Sequence, residues 1–168
     1  MNELNQPMGK AHIYTMMFST VFPKNHPSAG QPTNFPTLIQ QGLKIHSIRS
    51  NYELWRDRAI CAADGNCILS LRIWEDKPYR SKQVVLKNLH TFQVQKLRFH
   101  EGDICMPYIQ QNETKPGCIP MIYPLSIKTL ANNDGLSLKD WINWFETYDL
   151  TKPFALVSFT NHLYEAFN

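Results

Sequence analysis

The sequence predicts an α+β fold, a small and mostly antiparallel β-barrel with helices packed at its ends. Three observations lead there. Apolar residues fall into short alternating runs between polar turns, helical spacing returns only in isolated segments, and strand and helix signals do not alternate as a β-α-β chain would. With 168 residues, 43% hydrophobic and 12% aromatic, the chain can build one core, and residues 1–168 are read as one domain.

Each element follows from local chemistry. "HIYTMMF", residues 12 to 18, is β-prone and opens the chain's regular structure. The proline and glycine density of "PKNHPSAGQPTNFP" then predicts a long surface loop. "TLIQQG" reads as a short helix that Gly42 can end, because glycine tolerates the left-handed backbone past a helix C-terminus. Asn51 is a good N-cap for a second helix carrying Tyr52, Trp55 and Ala59 on one side. "CILSLRIW", "SKQVVLKNLH" and "FQVQKLRF" are three strands, the first two joined by the polar turn "EDKPYRS". Residues 100 to 120 read as irregular, and "MIYPLSI" as a short strand interrupted by Pro124. Ser137 and Asp140 resemble a capping box, with Leu136 and Trp141 as a hydrophobic staple. The helix they start bears Trp141, Trp144, Phe145 and Tyr148 in one stripe, which predicts a core-facing side. "FALVSF" closes the chain as a buried strand.

Composition narrows the function classes. A formal charge of +3 permits a polyanionic partner but is far from histone-like. No apolar run approaches a membrane span and "MNELNQPMGK" does not read as a signal peptide, so the expectation is no membrane partner and a cytoplasmic protein. The four cysteines, Cys61, Cys67, Cys105 and Cys118, include no C-x-x-C pair. They predict idle thiols in a reducing compartment, with no metal and no cofactor.

The densest polar stretch is "GLKIHSIR". Gly42, Lys44, Ser47 and Arg49 resemble the G-x-K-x-x-T/S-x-R motif of the ASCH domains, relatives of the PUA-like RNA-binding barrel. "LSLRIWEDKPYRSKQV" resembles the strand, turn and strand that follow in that family. "NNDGLSLKDWINWF" and "FALVSFT" resemble its late helix and closing strand, so the resemblance covers roughly residues 12 to 164. It implies a PUA-like barrel whose mouth is a pocket lined by Lys44, Ser47 and Arg49, and by the strand carrying Arg72 and Trp74.

Strand alternation puts Arg72 and Trp74 on one face, where a guanidinium beside an indole suits a flat, hydrogen-bonding ligand. Lys77, Tyr79, Arg80, Lys82 and Lys87 extend this into a basic run with an interleaved aromatic, the combination that single-stranded RNA binders use. A solvated turn accounts for the same residues. The first functional expectation is therefore a module binding RNA or a modified nucleoside-type small molecule. The second comes from the family's amidohydrolases, which deacylate the exocyclic nitrogen of acetylated cytidine: Lys44 as base and Ser47 as hydroxyl nucleophile. The family's glutamate has no counterpart, since no acid occurs between Lys82 and Arg98. A third class is a structural or protein-interaction domain. His46, next to Ser47, is expected to point away from it, and His26 could belong to a lid.

Overall fold

The computed structural model describes residues 11–111 and 121–165, with eight strands and four helices. Strand β1 (His12–Met17) pairs with β3 (Cys67–Trp74) in parallel, from His12 opposite Cys67 to Met17 opposite Arg72. β4 (Gln83–Leu89) runs antiparallel to β3, with a bulge between Leu71 and Arg72, and completes a three-stranded sheet. The second sheet has five strands in the order β2-β8-β5-β6-β7, all antiparallel. These are β2 (His46–Ser50), β5 (Gln93–Phe99), β6 (Pro107–Gln111), β7 (Met121–Pro124) and β8 (Phe154–Ser158).

The helices are α1 (Phe35–Gln40), α2 (Tyr52–Ala63), α3 (Ile127–Asn133) and α4 (Leu138–Phe145). The Asn51 side chain accepts from the Leu54 N–H, and the Ser137 hydroxyl accepts from the Asp140 N–H, so both expected N-caps form. Gly42 sits just past α1 at φ +71°, as its position requires. α2 packs against β3, β5 and β8, bridging the two sheets. Leu69, Leu71, Leu97, Ile109, Leu130, Trp141, Leu156 and Val157 are shut off from solvent at the centre. Every residue of β8 is buried, which explains why its sequence is a continuous apolar run rather than an alternating one.

The α+β class and the mostly antiparallel pairing hold. The strands nevertheless divide between two sheets, and no closed barrel is found among the described residues. The β1–β3 pair is also parallel, which the expectation of antiparallel neighbours did not include; the long segment between them, holding α1, β2 and α2, is what makes a parallel return possible. Residues 107 to 111, read as irregular, form β6, because the register with β5 satisfies their backbone despite the flanking proline. The rest of that loop, residues 112–120, lies outside the described residues, as does Cys118. Ser126 caps α3, a helix that Pro124 and the Asn-rich end of the segment had hidden. Cys61 and Cys67 are joined as a disulfide across the α2–β3 turn, correcting the expectation of idle thiols at that pair; Cys105 is free and exposed.

Candidate functional site

Backbone hydrogen bonds lock the stretch before β2 into place. The Lys44 N–H donates to the Leu38 carbonyl at 3.0 Å, Ile45 N–H to Asn133 at 2.9 Å, and the Ile45 carbonyl accepts from Phe159 at 2.8 Å. The ends of α1 and α3 and the end of β8 thus fix Lys44 opposite the turn that follows α3. That turn is Asp134-Gly135, with Gly135 at φ +73°. A Cβ on Gly135 would stand 3.2 Å from Lys44 Cβ and 3.0 Å from Leu38 Cδ1, so glycine at this positive φ favours the close approach of the two segments.

In this junction the Lys44 ammonium donates to the Asp134 backbone carbonyl at 2.6 Å and to one oxygen of its carboxylate. The two residues are 3% and 4% exposed, which makes this a buried ion pair rather than a surface one. Lys44 Nζ also lies 4.3 Å from the centre of the Phe35 ring. Burial pushes the lysine below its usual value and the Asp134 carboxyl above its own, while their mutual attraction opposes both shifts. Arg49 adds to the lysine's depression and helps hold the carboxyl down.

His46, the first residue of β2, is fully buried and stands 3.9 Å from the same carboxylate. Neither ring nitrogen has a hydrogen-bond partner among the described residues. Burial, then the charge of Lys44, then His162, hold it well below the ordinary histidine value. Of the two directions expected for it, packing or solvent, it takes packing, against the Tyr164 ring 5.7 Å away edge to face. Tyr164 is held by two backbone bonds with the Gln95 side chain, at 2.7 and 2.8 Å, and by the Asn133 amide on its hydroxyl at 2.7 Å. Its phenol is pushed up to about 12, mainly by burial.

A cavity of about 290 Å³ opens in front of Asp134. Ser47, Arg49 and Asp134 are among its polar groups, with Ser19 and Ser50 beside them, and Phe18, Phe35, Trp144, Phe145 and Tyr148 are its aromatic walls. Alternation along β2 puts Ser47 and Arg49 on one side, as expected of two residues spaced by two. Arg49 donates through Nη2 to the Met17 carbonyl at 3.0 Å and lies over the Phe18 ring. Ser47 is buried, and its hydroxyl makes no hydrogen bond to a described residue. Lys44 lies behind the wall rather than on it, reaching the cavity through Asp134.

The other expected site residues lie elsewhere. Arg72 is tied to its own sheet, through Nε to the Ser70 hydroxyl at 2.8 Å and through Nη1 to the Gln83 amide at 3.0 Å. Trp74 packs with Tyr79, ring centres 5.3 Å apart, in the β3–β4 turn. Tyr79 is 88% exposed at φ +63°, and Arg80 beside it is exposed. None of these four lines the cavity. His26 is no free lid residue: its Nε2 donates to the Asp140 carbonyl and its Nδ1 accepts from the Ser28 N–H, both at 3.0 Å, fastening the proline-rich loop to α4.

Sequence reasoning missed Asp134 and the three aromatic walls that come from the α4 stripe. Asp134 stood in the open in "NNDGL", but nothing local says that an acid at a helix end turns inward. The aromatic stripe of α4 was read as all core; Trp141 and Phe145 are buried, whereas Trp144 is half-buried and Tyr148 exposed, and Trp144, Phe145 and Tyr148 all line the cavity. Among the described residues no cluster of three or more His, Cys, Asp or Glu is placed to hold a metal ion, and no helix is long and apolar enough to cross a membrane. No family model, no curated protein and no solved structure matches the chain.

Proposed function

We propose that the protein binds a modified nucleoside, free or within RNA, with its base in the cavity of Ser47, Arg49 and Asp134. One observation carries the reading: a guanidinium, a hydroxyl and a buried carboxylate converge on a space walled by five aromatic rings. A heterocyclic base carries donors and acceptors on its edge and apolar faces above and below, so Arg49 and Asp134 complement the edge and the rings complement the faces. The resemblance of Gly42, Lys44, Ser47 and Arg49 to the ASCH motif supports the same ligand class. The cavity volume suits one base far better than an extended strand. The test is calorimetric titration with a panel of N4-acylated cytidines beside unmodified nucleosides. Saturable binding that Arg49→Ala abolishes is expected; a folded protein that binds none of them overturns the reading.

A second reading, deacylation of such a nucleoside, is favoured by the Lys44–Asp134 contact. Ser47 Oγ would attack the acyl carbon and pass its proton by way of Asp134, which lines the cavity, to a neutral Lys44 behind it. The C–N bond would break as the exocyclic nitrogen takes that proton, and water would then release the acid from the acyl-serine and restore the hydroxyl. Burial moves Lys44 towards the neutral form this needs, and Asp134 is an acid that can hold or return the proton. Release of free cytidine that disappears in Ser47→Ala establishes the reaction; binding without release at high enzyme concentration excludes it.

A further inference from the structure

A second cavity of about 290 Å³ adjoins the first, sharing Trp144 and Tyr148 with it. Its chemistry is different. Asn25, Asn143 and Thr147 provide the polar groups, and the side chains of these three make no hydrogen bond to a described residue. Among the described residues, no Lys, Arg, Asp or Glu side chain lines it. His26, which does, accepts from Ser28 at Nδ1 and so carries its proton on Nε2, as a neutral ring.

We propose that this outer cavity is the sugar subsite of the nucleoside whose base occupies the inner one, an assignment that rests on the nucleobase reading above. Two carboxamides and a hydroxyl offer donors and acceptors together, as ribose hydroxyls require, because each hydroxyl both gives and takes a hydrogen bond. Trp144 and Tyr148 form the partition, so one pair of rings flanks the base on one side and the C–H face of the sugar on the other. The absence of positive charge in the lining sets the specificity: a phosphate placed there meets amides and aromatic rings but no cation to neutralise it. The subsite thus selects a nucleoside over the free base, and gives a 5′-phosphate no further advantage. The proline-rich loop contributes to recognition through Asn25, held in place because His26 and the Ser28 hydroxyl anchor the loop to Asp140.

The test compares N4-acetylcytosine, N4-acetylcytidine and its 5′-monophosphate by calorimetry, on the full chain and on Asn143→Ala and Thr147→Val. Both positions are at least partly exposed on or just after α4, and neither side chain holds the fold together. The nucleoside is expected to bind at least about tenfold more tightly than the base, the return of one or two well-made hydrogen bonds, and each variant to narrow that gap. Equal affinities for base and nucleoside overturn the sugar subsite while leaving the base site standing. A tenfold gain from the phosphate overturns it too, since an uncharged lining cannot supply it. Failure of all three compounds to bind the folded protein removes this inference together with the function it rests on.

Discussion

Two regions of this protein carry the same residue types and treat them in opposite ways. At the junction of α1, β2 and α3, Lys44 and Asp134 are buried against each other with Arg49 and His46 close by. Along β3 and its turn into β4, Tyr79 and Arg80 stand in solvent and Arg72 is occupied within its own sheet. A reading of charge along the chain joins them into one basic groove. The difference lies in solvation: a charge in water costs nothing to keep, whereas a buried one must be matched, and its protonation becomes sensitive to each neighbour.

The largest effect that would sharpen this contrast is the loss of one partner of the buried pair. Lys44→Met leaves the Asp134 carboxylate buried without its cation, and a loss of about 3–5 kcal/mol in denaturant unfolding is expected. The double variant Lys44→Met, Asp134→Asn removes both charges and recovers part of that loss. If Lys44→Met instead costs no more than a change at the β3–β4 turn, the two regions are not different in kind. Next in size is Gly135→Ala. The added Cβ meets Lys44 and Leu38 at a φ that disfavours side chains, so a loss of about 1–3 kcal/mol is expected, with weaker binding because Asp134 is displaced.

The same contrast explains which parts were legible in the sequence. Asn51 and Ser137 act through residues three positions away, and Gly42 through its own backbone, so each announces its element locally. The strands of β3, β4 and β5 were readable from alternation and composition for the same reason. Lys44 meets Asp134 across 90 residues of chain, through a junction made by three separate backbone contacts, and no periodicity encodes such a meeting. The division into two sheets was hidden similarly: β1 pairs in parallel with β3 only after α1, β2 and α2 have been passed. Ser47 and Arg49 were found because neighbours two apart on a strand stay together. Arg72 and Trp74 were drawn into the same pocket by the resemblance, whereas their contacts stay within the other sheet and its turn.

Acidification provides a smaller but diagnostic effect. Unfolded, His46 takes a proton near 6.5; folded, its pKa lies well below that, because burial, Lys44 and His162 all oppose the charge. Below about pH 6.5 the unfolded chain therefore binds more protons than the native one at this site, and stability falls with pH, by up to about 1.4 kcal/mol per unit for a single group. The Asp134 carboxyl, raised by burial, works in the opposite sense, since the native state takes up its proton more readily than the unfolded one. Tyr164, which also faces His46, titrates far above this range. In melts between pH 7 and 5, His46→Leu should flatten the slope. An unchanged slope would place the acid sensitivity elsewhere.

The smallest effect on stability belongs to Tyr79, and there the contrast can be broken outright. Its backbone is left-handed, which suits glycine, and its ring is almost wholly exposed, with Trp74 beside it. Tyr79→Gly removes strain and one exposed ring contact together, so a net change within about 1 kcal/mol is expected. Nucleoside affinity should not change, because the residue does not line either cavity of the cleft. Binding of a single-stranded RNA is the sharper readout. If the turn is only a solvated surface, Tyr79→Gly leaves RNA binding and its salt dependence as they were. If affinity for RNA falls while that for the nucleoside holds, the exposed Tyr79 and Arg80 serve as a stacking and phosphate-contacting platform outside the pocket. The two regions would then be parts of one recognition surface after all, joined by the ligand rather than by the fold.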